Sequence, residues 1–278
     1  MIFSAKSKTF LVGEYAVLFG GGAVLLATDP EFQLIVNKID SREAILTGMI
    51  ESSPGFLFFR EYKSVFDHLE IKFLDPHGGR GGFGASSAQY VLLYKLYSHL
   101  TGKPIQLETF LNEYKHFAGG GCVAPSGADC VLQLHNRHVY FDSRDNHLEL
   151  LNWNFPNIEF AIFPTNTKVQ THNHIQNLPF IDVSDLNVCV DGVKKSFLLG
   201  NVEMLSKNIM DFSHAIIKKK LAVKEVRHVI DLLLYTDGVL AAKGCGAMLA
   251  DTIVVLLQKK KKKIVLEAIK TIVKQTVI

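Results

Sequence analysis

The chain has 278 residues, 48% of them hydrophobic, enough for one large domain or two modest ones. A net charge of +3 is too small to demand nucleic acid or an anionic membrane as partner, and no apolar run is long enough to span a bilayer. The cysteines Cys122, Cys130, Cys189 and Cys245 form no C-x-x-C pair and the N-terminus carries no signal-peptide pattern, so zinc and a disulfide framework are not expected, and a reducing cytoplasm is.

Phe10-Leu11-Val12 reads as a short strand, followed by a turn at Gly13 and a second strand over Ala23–Ala27. Alternation of Phe32, Leu34 and Val36 predicts a strand to Lys38. Ala44–Leu46 and Gly55–Phe59 read as shorter strands, with Leu57-Phe58-Phe59 in the core. Leu69–Leu74 alternates like a half-buried strand and leads into Gly78-Gly79-Arg80-Gly81-Gly82-Phe83-Gly84-Ala85-Ser86-Ser87-Ala88. Ala88, Leu92, Leu96 and Leu100 then recur at helical spacing until Gly102 and Pro104 end the helix.

Strand, glycine loop and helix together make an anion site. Glycines admit a ligand close to the backbone, and the helix start offers unpaired N–H groups at its positive end. The same residues also suit an ordinary loop with a serine helix cap. Gly79, Gly81 and Gly84 satisfy G-x-G-x-x-G, but the region some 20 residues on reads helical where a dinucleotide fold wants a strand ending in an acid. No lysine precedes Ser86, which excludes a Walker A loop.

Residues 105–117 read as a helix, and another is expected from Cys130 to Leu134, which Asp129 could cap. His138–Phe141 reads as a strand. The pattern breaks at Asn152-Trp153-Asn154-Phe155-Pro156-Asn157, so two domains are expected, 1–152 and 153–278. Ile158–Phe163 is a strand, and Pro164–Thr171 a polar loop. His172-Asn173-His174 lacks a nearby third metal ligand and reads as surface loop. Residues 186–220 and 223–235 are mostly helical, and Ile253–Leu257 is a strand. Lys259–Lys263 is a solvated turn before an amphipathic helix with Val265, Ile269, Ile272 and Val273; it lacks the interleaved aromatics of a nucleic-acid patch.

Five segments carry a resemblance. Gly82-Phe83-Gly84-Ala85-Ser86-Ser87-Ala88 resembles the Gly-Leu-Gly-Ser-Ser-Ala-Ala loop of the GHMP small-molecule kinases, with one extra small residue before the serine pair. Ser4-Ala5-Lys6-Ser7-Lys8 and Gly13-Glu14-Tyr15-Ala16-Val17-Leu18 resemble their Ser-Ala-Pro-Gly-Lys opening and Gly-Glu-His/Tyr-Ala-Val segment, without the Pro-Gly. Pro125-Ser126-Gly127-Ala128-Asp129 matches Pro-Ser-Gly-x-Asp. Leu240–Thr252 resembles the Ala-Ala-Lys-Pro-Ser-Gly-Ala-Gly-Gly-Gly-Asp-Cys segment of phosphomevalonate kinases at Lys243, Gly246, Ala247 and Asp251, with Met248, Leu249 and Ala250 in place of glycines.

This resemblance implies an α+β fold with a ribosomal-protein-S5-like N-terminal domain and a ferredoxin-like C-terminal domain. It implies ATP and Mg2+, with Gly81, Gly82, Gly84, Ala85, Ser86 and Ser87 around the phosphates. Asp129 would take or orient the acceptor's proton and Lys8 would offset charge. Glu14, Tyr15, Ser126, Gly127, Lys243 and Asp251 would border the acceptor, and Ser87 and Glu113 would face the metal. The acceptor is expected to be 5-phosphomevalonate, with mevalonate, or a non-catalytic ligand-binding relative, as the alternatives. The decarboxylase relatives carry an arginine shortly after Ser-Gly, where this chain has Ala128-Asp129.

Overall fold

The computed structural model describes residues 1–119, 123–165, 180–246, 249 and 251–276. The chain forms two compact units, one of Met1–Lys8 with Leu26–Arg137, the other of Thr9–Leu25 with His138–Ile278. Strand β1 (Ile2–Val12) therefore starts in the first unit and ends in the second, and β2 (Gly22–Lys38) does the reverse. The two strands expected over 23–27 and 32–38 are thus one. Pro30 falls at an exposed stretch of β2 between two buried ones.

In the first unit, the C-terminal half of β2 pairs antiparallel with β4 (Leu69–Leu74), which pairs parallel with β3 (Ile45–Thr47). Its helices are α1 (Pro54–Glu61), α2 (Ala85–Thr101), α3 (Leu107–Ala118) and α4 (Ala128–His135).

Helix α1 corrects the strand expected over Gly55–Phe59. Ser53 Oγ caps it by accepting from the Phe56 N–H at 3.2 Å, and Pro54 occupies the first turn, where its missing N–H is harmless. The aromatic run suggested a strand by propensity, but the cap and core contacts favour a helix. Phe58, fully buried, meets Tyr90 at 5.4 Å and Tyr94 at 5.3 Å between ring centroids. Gly55 permits the approach, since a Cβ there would lie 2.8 Å from Gln89 of α2.

In the second unit, the start of β2 pairs antiparallel with β5 (His138–Asp142), and β5 with β6 (His147–Leu151). A second antiparallel sheet consists of β7 (Ile158–Pro164), β8 (Val239–Cys245) and β9 (Thr252–Gln258), with β9 in the middle. Its helices are α5 (Ser184–Leu199), α6 (Val202–Lys218), α7 (Lys224–Leu234) and α8 (Lys262–Thr276). Val229, Ile230 and Leu233 of α7 and Val265 and Ile269 of α8 share a core with Ile253, Val255 and Leu257 of β9. The lysine run is a short turn whose Lys261 and Lys262 pair with Asp237 and Glu159.

Among the described residues, no helix is long and apolar enough to cross a membrane, and Cys130, Cys189 and Cys245 are buried free thiols. His172-Asn173-His174 and Cys122 lie outside the described residues, as do Met248 and Ala250.

Candidate active site

The glycine loop delivers the start of α2 without a side-chain cap. The N-cap residue is Gly84 at φ +91°, with no side-chain hydrogen bond, so the serine-cap reading does not hold. Ser87 is buried, and its Oγ donates back to the Gly84 carbonyl at 3.0 Å. Gly81 and Ser86 are exposed, and Gly82, Gly84 and Ala85 are half-buried. Gly78 and Gly79 adopt positive φ with open space where a Cβ would stand. The first-turn N–H groups of a helix have no intrahelical acceptor, so this arrangement offers backbone donors to an anion.

Gly84 is constrained from two sides. Its φ is one that L side chains rarely adopt, and a Cβ would lie 2.8 Å from Lys8 Cγ and 2.9 Å from Gln133 Nε2. Lys8 is held beside the loop by its own N–H, which donates to the Phe83 carbonyl at 3.0 Å.

Lys8 and Asp129 meet. Nζ of Lys8 is 3.0 Å from Oδ2 of Asp129, with the lysine side chain 10% exposed and the aspartate 28%. Asp129 lies in the first turn of α4 rather than at its cap. The cap is Gly127 at φ +78°, where a Cβ would lie 2.5 Å from Leu111 Cδ2. Ser126 Oγ accepts from the Ala128 N–H at 3.3 Å and so shapes the turn. A half-exposed carboxylate beside an ammonium, on one side of an uncapped helix start, suits a hydroxyl acceptor and a phosphoryl donor.

His77 belongs to this site and carries no sequence signal of its own. Its ring stacks on Phe83 at 4.0 Å between centroids and 2° between planes. Its Nε2 is 2.7 Å from Ser7 Oγ, and that hydroxyl lies 2.6 Å from the Pro30 carbonyl. A carbonyl only accepts, so the Ser7 proton goes to Pro30 and His77 Nε2 is the donor. Asp75 fixes the turn, accepting from the His77 N–H at 2.8 Å and the Gly79 N–H at 2.9 Å. Burial lowers the His77 pKa, with Asp75 opposing that shift and Arg80 adding to it.

Glu14 and Lys243 meet each other. Lys243 is fully buried, and its Nζ donates to Glu14 Oε1 and to the Gly244 carbonyl at 2.7 Å. Tyr15 is also buried, at 2% exposure. The Lys243 charge is therefore compensated inside the second unit. Asp251 packs its carboxylate against Gly246, which sits at φ +88°, and Leu249 is buried at φ +54° in the same turn.

Glu113 faces elsewhere. Its Oε1 accepts from the Tyr62 hydroxyl at 2.6 Å, and it lines a cavity of about 400 Å3 with Glu61, Tyr62, Thr109, Asn112, His116 and Phe117. Lys8, Ser87 and Asp129 do not line that cavity. Among the described residues, no group of three or more His, Cys, Asp or Glu is placed to hold a metal. Mg2+ in kinase sites takes few protein oxygens and completes its shell with phosphates and water, which these residues fit.

No protein-family model matches the chain, and no curated protein matches it in sequence. Solved structures do match. The mevalonate kinase of Methanococcus jannaschii superposes with a TM-score of 0.74 at 17% identity, over 98% of this chain and 95% of that one. Streptococcus pneumoniae phosphomevalonate kinase, in complex with phosphomevalonate and AMPPNP, gives 0.77 at 14% identity over 98% and 97%. Lactococcus lactis galactokinase, complexed with galactose, gives 0.77 at 12% identity over 99% and 90%. The fold is that of the GHMP small-molecule kinases. Its structural neighbours include the mevalonate-pathway members of that superfamily.

Proposed function

We propose that the chain is an ATP-dependent kinase of a small isoprenoid-precursor alcohol. The observation that carries this reading is the Lys8–Asp129 pair beside a glycine loop that opens an uncapped helix. The loop N–H groups of Gly81–Ser87 hold the ATP phosphates. Asp129 orients the acceptor hydroxyl and receives its proton, and Lys8 offsets charge on the transferred phosphoryl group. Ser87 would be the chain's oxygen toward Mg2+, which would supply neutralisation of phosphate charge, and the Glu113 carboxylate is committed to Tyr62. Ser126 and Gly127, in the turn before Asp129, shape the acceptor side. The S5-like and ferredoxin-like description, divided at residue 152, is part of the same proposal.

The preferred acceptor is 5-phosphomevalonate, on the resemblance around Lys243–Asp251 and on Glu14-Tyr15. A phosphorylated acceptor brings about two negative charges that need cations. Lys243 is paired to Glu14 and Lys8 to Asp129, which leaves Arg80 of the glycine loop as the candidate cation. Mevalonate is the alternative acceptor. A non-catalytic ligand-binding reading rests on Leu249, a buried side chain at positive φ where the related kinases carry glycine.

The test is ADP release from Mg-ATP with mevalonate, phosphomevalonate, diphosphomevalonate, galactose and homoserine in turn. Turnover with phosphomevalonate supports the proposal. Preference for mevalonate overturns the acceptor and keeps the kinase. ATP binding with no turnover on any acceptor favours the non-catalytic reading.

A further inference from the structure

Gln133 is fully buried in α4, one helical turn beyond Asp129 and on the same face. Its Nε2 donates to the Gly84 carbonyl at 3.0 Å and to the Lys6 carbonyl at 3.2 Å. Both amide protons are thus used by groups that can only accept, which fixes the orientation of the amide. Its Oε1 is buried and has no hydrogen-bond partner among the described residues.

These two bonds join three pieces of the candidate site. Lys6 lies two residues before Lys8 on β1. Gly84 closes the glycine loop, and its carbonyl also accepts from Ser87 Oγ and from the Ala88 N–H at 2.9 Å. Asp129 rides on the helix that supplies the amide. The neighbouring bond from the Lys8 N–H to the Phe83 carbonyl completes the link between strand and loop.

We propose that Gln133 is a positioning residue for phosphoryl transfer: it ties the Asp129 helix to the Lys8 strand and the phosphate loop, and so sets the Lys8–Asp129 gap and the placement of the loop. It touches neither nucleotide nor acceptor. The inference deepens the kinase reading and rests on it. An orphaned buried oxygen lowers stability, so the amide is not there for that oxygen. The amide is explained by its two donors, which apolar packing cannot replace.

The experiment compares the full-length wild-type protein with Gln133→Met and Gln133→Glu. Gln133→Met removes both donors together with the orphaned oxygen. It is expected to lower kcat roughly 100-fold, the scale of a misplacement of about 1 Å at a reacting centre, in a protein that circular dichroism shows still folded. Gln133→Glu keeps the shape but turns an acceptor-only carboxylate toward two carbonyls. Its kcat relative to wild type is expected to rise as pH falls and the carboxyl regains one donor. Wild-type kcat in Gln133→Met, or a flat relative pH profile in Gln133→Glu, overturns the proposal.

Amide hydrogen exchange gives a readout that needs no turnover. In Gln133→Met, the Lys8 and Ala88 amides are expected to exchange at least about 10-fold faster, while α5 and α6 are unchanged. Unchanged exchange at Lys8 and Ala88 overturns the positioning role. If the wild-type protein turns over no acceptor, the kinase reading fails, and exchange alone still decides whether Gln133 holds strand, loop and helix together.

Discussion

Lys8 Nζ stands 3.0 Å from Asp129 Oδ2, a contact between residues 121 positions apart that joins the first strand of the chain to the start of a helix. A buried or half-buried ion pair adds little net stability, and breaking it leaves one charge uncompensated. In the proposed kinase its value lies in positioning: the ammonium aims the carboxylate at the hydroxyl of the acceptor.

Asp129→Asn keeps the shape and removes the base. Turnover with the preferred acceptor is expected to fall by about two to four orders of magnitude, the scale of general acid–base assistance. ATP affinity, which the proposal assigns to the glycine loop, should stay within a few-fold. Steady-state kinetics with calorimetric ATP binding checks both. Full activity in a folded variant removes Asp129 from the mechanism.

Gly84→Ala tests the loop. A Cβ there meets Lys8 Cγ at 2.8 Å, and the backbone sits at φ +91°, so the loop must shift. Nucleotide affinity is expected to drop at least about 10-fold, whereas Gly79→Ala, with open space around it, should lose less. Calorimetric titration of Mg-ATP into both variants separates a phosphate cradle from an ordinary turn. Ser87→Ala should weaken Mg-ATP more than metal-free ATP, and equal weakening removes the hydroxyl from the metal's surroundings.

Lys243→Met strands Glu14 in the interior. Its carboxylate side chain is only 6% exposed and the lysine not at all. Removing one partner of such a pair destabilises by roughly 3–5 kcal/mol, whereas removing both often restores stability. Urea denaturation of Lys243→Met, Glu14→Gln and the double variant is expected to show that pattern, with the double variant more stable than Lys243→Met. If Lys243 instead bound acceptor phosphate, the single change would raise the acceptor KM and leave stability nearly intact.

Lys95 supplies a pH dependence. Burial lowers its pKa from the ordinary 10.5 to about 8, with Glu31 opposing, while its Nζ donates to the carbonyls of Ser4 and Gln133. The folded state therefore binds this proton less tightly than the unfolded chain. Stability is fully favoured above about pH 10.5 and declines as pH falls toward 8, by up to about 3 kcal/mol at neutral pH. Lys95→Met should remove this step, so the wild-type-minus-variant difference in unfolding free energy changes between pH 8 and 10.5 and is flat below. A constant difference across that window assigns Lys95 an ordinary pKa.

The local pieces can be read from neighbouring residues alone. Strand, glycine loop and helix over Leu69–Thr101 were legible because each signal lies within a few residues of the structure it specifies: alternation, backbone permissiveness, four-residue spacing. The helix expected over Cys130–Leu134 was legible in the same way, although it starts at Ala128 and its cap is Gly127 rather than Asp129. Phe56–Phe59 was not, because aromatic residues fit either element and α1 is decided by Ser53 and by packing on α2. Which groups partner is visible in three dimensions alone. Glu14 and Lys243 both looked like acceptor contacts, yet they neutralise each other across 229 residues of chain. Gln133 and His77 had no motif at all, since an amide within a helix and an imidazole before a glycine run become informative only when two distant carbonyls and a serine are placed against them. Hydrogen bonds and ion pairs act over about 3 Å in space, and nothing in the spacing of residues along the chain encodes which groups folding brings within that distance.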